Sequence, residues 1–200
     1  MPPAADSTER IRAYLARSAE VKRLTATSCA ESIARGAELL VRCYREGGKV
    51  LFCGNGGSAA DSQHLAAELV NGWTRDRPRP ALAAVALTTD TSFLTANAND
   101  VGFEPVFERQ VEALGRPGDV LVAISTSGDS ANVLRALTRA RQLGLGTLLL
   151  SGAGGGTAAS LADVAVLVPS TETQHIQEAH IAVGHLLCME VERALFPGPR

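Results

Sequence analysis

Cysteine is scarce in this sequence, and its spacing excludes two common uses of the residue. The four cysteines are Cys29, Cys43, Cys53 and Cys188, and no two of them form a C-x-x-C pair or a zinc-ribbon spacing. Scattered cysteines of this kind are typical of buried, reduced thiols rather than of a disulfide framework. We therefore expect a cytoplasmic protein.

Long hydrophobic runs and clusters of basic charge are also missing. No apolar stretch reaches the roughly 18 residues that a helix needs to span a bilayer, and residues 1–18 contain no apolar core of a secretory signal. The formal net charge is −2, and the basic residues are scattered. Because nucleic acids and anionic membranes bind to basic patches, we expect neither of them as a partner.

The sequence does contain a regular alternation of apolar strands with helices. Apolar segments predict five strands, at residues 49–54, 81–87, 119–125, 146–152 and 163–169, with helical stretches between them. Continuous apolar strands that alternate with helices are typical of an α/β protein whose mostly parallel sheet is covered on both faces.

The segment before the first strand, residues 7–47, carries apolar residues at helical spacing in two stretches. We predict that it forms an N-terminal helical hairpin that takes part in oligomerisation. The 200 residues contain no internal repeat, low-complexity tract or long linker, and 46% of them are hydrophobic. This composition is enough for a sizeable core, so we predict a single domain over residues 1–200.

Two loops rich in small hydrogen-bonding residues follow the first and third predicted strands. They are residues 54–58 (GNGGS) and 125–130 (STSGDS), and each continues into a helix. A helix N-terminus offers N–H donors, and glycine lets the backbone approach an anion closely. Ordinary turn and capping chemistry explains either loop alone, but the two together predict a phosphate ligand. Neither loop carries a dinucleotide fingerprint or a Walker lysine, which argues against a nucleotide.

Histidine and carboxylate side chains recur at helical spacing in two places. His64 and Glu68 are four residues apart and share a helix face. Gln177 and His185 are eight residues apart on the predicted closing helix, which places them about 80° apart around its axis. Together they would form an N/O donor set suited to zinc. The alternatives are a solvated surface pair and a core histidine, and spacing alone leaves open whether the two helices meet.

Four motifs, CGNGGSAADSQHLAAEL, ANDVGF, AISTSGDSANV and HIQEAHIAVGH, occur in this order between about residue 10 and residue 196. They resemble the SIS (sugar isomerase) domain of the phosphoheptose isomerases. The resemblance implies an SIS-type three-layer sandwich with a central five-stranded sheet. It also implies that D-sedoheptulose 7-phosphate is isomerised to D-glycero-D-manno-heptose 7-phosphate through an enediol. That reaction is the first step in the biosynthesis of nucleotide-activated heptose.

The resemblance further implies a set of site residues and a quaternary structure. One zinc ion per subunit would be held by His64, Glu68, Gln177 and His185. The substrate would contact Asn55, Gly56, Gly57, Ser58, Glu68, Asn99, Asp100, Ser125, Thr126, Ser127, Ser130 and Gln177. The family is typically a homotetramer with sites between subunits. The sequence departs from the family at Asp129, where Asn is frequent, and an acid there either weakens phosphate binding or faces solvent.

The chemistry of the implied reaction fits these residue types. Aldose–ketose isomerisation moves a proton between C1 and C2, which needs a base, an acid near the oxygens and a stabiliser of the enediolate. We assign the base to Glu68 and the acid to His185, with zinc as a Lewis acid. If both residues also ligate zinc, they are not free for proton transfer at the same moment, and the sequence leaves that conflict open.

Three alternative functions remain at this stage. The first is a non-enzymatic SIS protein that binds the DnaA replication initiator, but such relatives tend to lack the carboxylate of Glu68 and the imidazole of His185. The second is a sugar-phosphate-sensing regulator, although no helix-turn-helix segment or basic patch is attached. The third is an isomerase of another sugar phosphate.

Overall fold

A computed structural model describes residues 4–73 and 78–197. Five strands run over Val50–Gly54 (β1), Ala84–Ala86 (β2), Val120–Ile124 (β3), Gly146–Gly152 (β4) and Val164–Val168 (β5). The helices are Ala4–Arg45 (α1), Gly57–Asn71 (α2), Thr91–Asp100 (α3), Val106–Leu114 (α4), Ala131–Gln142 (α5) and Thr173–Leu195 (α6), with a short 3-10 turn at Thr157–Ser160. All five predicted strands are present. No helix in these two ranges is long and apolar enough to cross a membrane.

The strands form one sheet in the order β2-β1-β3-β4-β5, and every neighbouring pair is parallel. β1 and β3 are adjacent, with Gly54 paired to Ile124 at their carboxyl ends. The loops that follow these two strands therefore leave the sheet side by side. This is the edge at which open α/β sheets bind their ligands.

Alternate residues of the strands face two separate hydrophobic layers. Phe52 and Val122 pack on one face with residues of α1, α2 and α6. Leu51 and Leu121 pack on the other face with residues of α4 and α5. Burial of each such side chain contributes about 1.5–3 kcal/mol to folding. The α/β three-layer sandwich with a five-stranded sheet is therefore confirmed, and the sheet is entirely parallel.

The predicted N-terminal helical hairpin over residues 7–47 is wrong. α1 is one continuous helix of 42 residues. The chain stays helical where the two apolar stretches meet, and Thr25 Oγ1 there donates to the Val21 carbonyl at 2.8 Å and Ser28 Oγ to the Leu24 carbonyl at 2.9 Å. These i−4 bonds let Thr and Ser continue a helix where neither glycine nor proline interrupts it.

A polar cluster fastens the first half of α1 to the start of α6. Tyr14 donates a hydrogen bond to Glu178 at 2.7 Å, Lys22 lies 3.9 Å from the same carboxylate, and His175 Nδ1 lies 3.3 Å from it. Hydrogen bonding, first from Ser18 and then from Tyr14, lowers the pKa of Glu178 to about 2. The ionised carboxylate is therefore a favoured partner in the folded protein.

We predict that Glu178→Gln lowers the melting temperature near neutral pH and has less effect in acid. The carboxyl titrates near 4.5 when unfolded and near 2 when folded. Its stabilisation is complete above the unfolded pKa and is lost as pH falls from there towards 2, although partial exposure keeps it modest. Melting curves at about pH 6.5 and about pH 3.5 should show the gap to wild type narrowing. Glu190→Gln, which removes a surface pair with Arg193, is the control, and an equal gap at both pH values would contradict the prediction.

Candidate active site

The centre of the candidate site is a contact between α2 and α6. His64 Nε2 lies 2.9 Å from His185 Nε2, so one imidazole donates a hydrogen bond and the other accepts it. Glu68 Oε1 lies 3.5 Å from His64 Nε2, one turn along the same helix. The side chain of His64 is half exposed, whereas that of Glu68 is largely buried. The structure therefore brings three of the four proposed zinc ligands together.

The environment of His185 favours its neutral form. Burial lowers the pKa of His185, and the neighbouring His64 lowers it further, while Glu68 acts in the opposite direction. The indole of Trp73 packs against the same imidazole with ring centroids 5.0 Å apart. A neutral imidazole held in this way keeps one N–H donor and one acceptor, as an exchange of protons with substrate oxygens requires.

The donor set of this cluster suits a zinc ion. Two imidazole nitrogens and one carboxylate oxygen are ligands that zinc accepts in tetrahedral sites. In the described ranges, however, no three His, Cys, Asp or Glu side chains are already arranged as the ligands of one ion. The residues present therefore fit the metal by their chemistry, and zinc remains a prediction.

Gln177 occupies a different point of the α2–α6 contact. A Cβ atom added to Gly57 would lie 2.6 Å from Gln177 Nε2, so the amide rests on the glycine that opens α2. Gln177 is eight residues from His185, roughly 12 Å along the helix axis. The side chain is thus placed at the first loop, and its role as a fourth ligand stays a prediction.

The first and second loops are joined by an amide pair. Asn55 Nδ2 donates to Asn132 Oδ1, and Asn132 Nδ2 donates to Asn55 Oδ1, both at 2.9 Å. Gly56 and Gly57 are exposed beside this pair, whereas Ser58 is buried. The two helix N-termini of α2 and α5 are therefore held next to each other, and each offers unpaired amide donors.

The second loop is shaped by hydrogen bonds among its own hydroxyls and amides. Ser125 Oγ lies 3.2 Å from Ser130 Oγ and accepts a bond from the Gly128 amide. Gly128 has φ of +72°, and a Cβ there would lie 2.0 Å from the Gly155 carbonyl oxygen. Only glycine fits that position. Thr126 is partly exposed and Ser127 is exposed, which leaves both available to a ligand.

Asp129, the residue at which the sequence departs from the family that it resembles, is exposed. Its Oδ1 accepts a hydrogen bond of 2.8 Å from the Thr157 amide. That bond lowers the pKa of Asp129. The carboxylate therefore faces solvent, as one of the two alternatives drawn from the sequence has it, and it also has a structural partner in the segment after β4.

Asn99 and Asp100 lie apart from the features above. They form the exposed last turn of α3, where Asn99 Nδ2 donates to Asp100 Oδ1 at 2.8 Å. Val101 and Phe103, which follow them, are also exposed large side chains. The substrate contact that the resemblance implies for Asn99 and Asp100 stays a prediction.

Two residues that matter to this geometry were not predicted from the sequence. Asn132 lies inside the motif AISTSGDSANV, but its bond to Asn55 joins residues 77 positions apart. Trp73 is the one tryptophan of the chain, and it follows the helix that carries His64 and Glu68. A lone aromatic residue at a helix end gave a weak signal, because nothing local indicates that it packs on His185.

Comparison with known proteins identifies a family for this arrangement. The SIS domain family matches residues 13–152. A phosphoheptose isomerase of Rhodospirillum rubrum is 58% identical over 167 residues, which are 84% of this chain and 88% of that protein. A phosphoheptose isomerase of Aquifex aeolicus is 52% identical over 184 residues, 92% of this chain and 95% of that protein.

Solved structures agree with the sequence comparison. The phosphoheptose isomerase GmhA of Neisseria gonorrhoeae has a TM-score of 0.87 at 46% identity and covers 92% of this chain and 98% of its own. A phosphoheptose isomerase of Francisella tularensis has a TM-score of 0.89 at 38% identity, with 94% and 98% covered. The chain therefore belongs to the SIS-domain family and, within it, to the phosphoheptose isomerases.

Proposed function

We propose that this chain is the aldose–ketose isomerase that converts D-sedoheptulose 7-phosphate to D-glycero-D-manno-heptose 7-phosphate. One observation carries the proposal: Glu68 and His64 on α2 face His185 on α6, and α2 starts at the first glycine loop. The arrangement offers a base on α2, whose N-terminus forms the candidate phosphate site together with that of α5, and a facing proton donor on α6. A DnaA-binding role, the main alternative, makes no use of these groups.

The length of the site supports a seven-carbon substrate. Gly57 contacts Gln177, and His64, seven residues further along α2, contacts His185, eight residues further along α6. The two helices therefore run side by side, and the loop is separated from the histidines by roughly 10 Å of helix. An open heptose chain can span that distance, with its phosphate on the loops and C1 and C2 at Glu68.

The proton transfers follow from the side chains at the far end. The Glu68 carboxylate takes a proton from C1 of the ketose, which leaves an enediolate across C1 and C2, and returns the proton to C2. The His185 N–H protonates the oxygen on C2, and the imidazole then accepts the proton of the oxygen on C1. Each group ends the cycle in its starting protonation state.

Zinc is part of the proposal as a resident ion held by His64, Glu68, Gln177 and His185. When bound, it would supply Lewis-acid polarisation of the substrate oxygens. The support is the N/N/O donor chemistry of the three residues that meet. Metal analysis of the purified protein, compared with that of His64→Ala, tests the assignment.

The two loops are proposed to hold the phosphate, and the hydroxyl groups of the second loop give a direct test. Thr126→Ala and Ser127→Ala should raise KM by about tenfold and leave kcat nearly unchanged, because the phosphate lies far from the reacting carbons. Thr138→Ala, an exposed threonine on α5, is the matched control. A fall in kcat without a change in KM would contradict the phosphate assignment.

We also propose a homotetramer in the cytoplasm. A groove of about 770 Å³ runs between α1 and α6, lined mostly by small and apolar residues such as Ala30, Ala34 and Leu186, together with four charged side chains. Ile11 and Leu15 on α1 are each 60% exposed, which is unusual for an unpartnered helix. Light scattering should give four times the 20.9 kDa chain mass, and a fully active monomer would contradict the proposal. The four cysteines, all unpaired and buried, suit a reducing compartment.

Turnover with a pure substrate is the decisive test of the function. Incubation with sedoheptulose 7-phosphate should yield an aldose 7-phosphate, and fructose 6-phosphate, which is one carbon shorter, should be converted far more slowly. Conversion of fructose 6-phosphate at an equal rate would favour the third alternative, an isomerase of another sugar phosphate. If neither sugar gave a product, the result would favour the non-enzymatic, DnaA-binding alternative.

A further inference from the structure

A buried ion pair lies directly behind the candidate site. Arg79 Nε lies 2.7 Å from Glu192 Oε2, and the two side chains are only 3% and 8% exposed. The guanidinium also lies over the Phe196 ring, 5.6 Å from its centroid. Arg79 comes from the segment before β2 and Glu192 from the last two turns of α6, so the pair joins separate parts of the chain.

Two further hydrogen bonds of this pair go to the backbone of the site. Arg79 Nη2 donates to the carbonyl oxygen of Glu68 at 3.1 Å. Glu192 Oε2 accepts a bond from the Trp73 amide at 2.9 Å. Glu68 is the proposed base, and the Trp73 indole packs on the proposed acid His185. One ion pair thus contacts the backbone of Glu68 and the backbone of Trp73, the residue that packs on His185.

Stability alone is a weak explanation for such a pair. Removing two charges from water costs about as much as their attraction returns, and hydrophobic replacements of similar volume are often neutral or stabilising. Geometry is a better explanation, because a planar guanidinium can bond a carboxylate and a carbonyl at fixed angles at the same time. The end of α2 is then held at one distance from α6.

We propose that Arg79 and Glu192 are positioning residues for the isomerisation. They hold the C-terminal end of α2 and Trp73 against α6, so that the Glu68 carboxylate and the His185 imidazole face the same substrate atoms. The inference rests on the proposed function, since it assigns the pair a part in that reaction. Neither residue touches the substrate.

The test replaces the pair by apolar residues. Arg79→Met/Glu192→Leu should keep the melting temperature and oligomeric state near those of wild type and lower kcat by about a hundredfold, because small misplacements of catalytic groups are costly. KM should change little. Trp73 is the single tryptophan, so tryptophan fluorescence reports on it alone. Without substrate, acrylamide should quench this fluorescence more strongly in the variant, because the indole becomes more accessible.

A matched control removes another ion pair, which lies where β1 and β3 begin and, among the described residues, makes no hydrogen bond to the proposed base and acid or to Trp73. Asp119 is buried, pairs with Lys49, and accepts hydrogen bonds from the Lys49 and Arg116 amides. Lys49→Met/Asp119→Leu should change stability but leave kcat per folded molecule and Trp73 quenching as in wild type. An equal loss of kcat in the control would overturn the inference, because any buried pair would then have the same effect.

A second variant keeps the test decisive if the apolar pair does not fold. Arg79→Lys retains the charge beside Glu192, but an ammonium cannot reproduce the two-sided geometry of the guanidinium. A folded Arg79→Lys protein should lose about tenfold in kcat. Wild-type kcat in either folded Arg79 variant overturns the inference alone, whereas an inactive wild-type protein overturns the proposed function and this inference with it.

Discussion

Glu68→Gln is expected to lower kcat by at least about a hundredfold while the protein remains folded. The amide has the size of the carboxylate, and it leaves the backbone carbonyl that Arg79 contacts in place. It cannot accept a proton from carbon, so the enediolate does not form. The loss should appear in kcat rather than in KM, since Glu68 is proposed to act on C1 and C2 and the loops to bind the phosphate.

The measurement is the rate of heptose 7-phosphate formation, read beside the melting temperature and zinc content. Glu31→Gln, a change at an exposed position on α1, is the control for the substitution itself. A second comparison is the exchange of solvent hydrogen into C1 of the ketose substrate, which should vanish together with turnover. Near-normal turnover in a folded Glu68→Gln protein would remove Glu68 as the base.

Much of the fold could be predicted because the strands are continuous apolar runs. Residues 146–152 match β4 at both ends, and the residues of β1 and β3 are buried on both faces. The pattern is strong where burial alone decides the structure. It failed over residues 7–47, where two apolar stretches suggested two helices, although the hydroxyls of Thr25 and Ser28 bond back to one continuous helix. A local polar stretch does not reveal whether a neighbouring helix supports it.

The candidate site could likewise be predicted where it depends on local sequence, and not where it depends on how helices pack. The two loops were predictable because small residues at the ends of adjacent parallel strands are a local signal. The meeting of His64 with His185 was not, since it depends on how α2 and α6 pack. The Arg79–Glu192 pair was also not predicted, because its partners are 113 residues apart.

The proximity of His64 to His185 sharpens the conflict between metal binding and proton transfer. At 2.9 Å the two Nε2 atoms share one hydrogen, so without a metal His185 already uses one ring nitrogen on His64. A metal that took over His64 would release that bond. The two proposed roles of His185 therefore compete for one nitrogen, and replacement of His185 should affect turnover and metal retention together.

His185→Asn is expected to remove turnover and weaken zinc retention while the melting temperature changes little. Asparagine can still hydrogen-bond, but it cannot transfer a proton near neutral pH. The site is partly exposed, so the smaller side chain leaves no closed cavity. kcat should fall by at least about a hundredfold.

His180→Asn on the same helix is the matched control. His180 is only 1% exposed, and burial lowers its pKa to about 4, as is typical of a core histidine that stays neutral. This change should lower the melting temperature and leave kcat per folded molecule near that of wild type, which is the reverse of the pattern expected for His185→Asn. If His185→Asn instead lowered the melting temperature and kept its specific activity, His185 would be a packing residue, and both the acid and a zinc ligand would have to lie elsewhere.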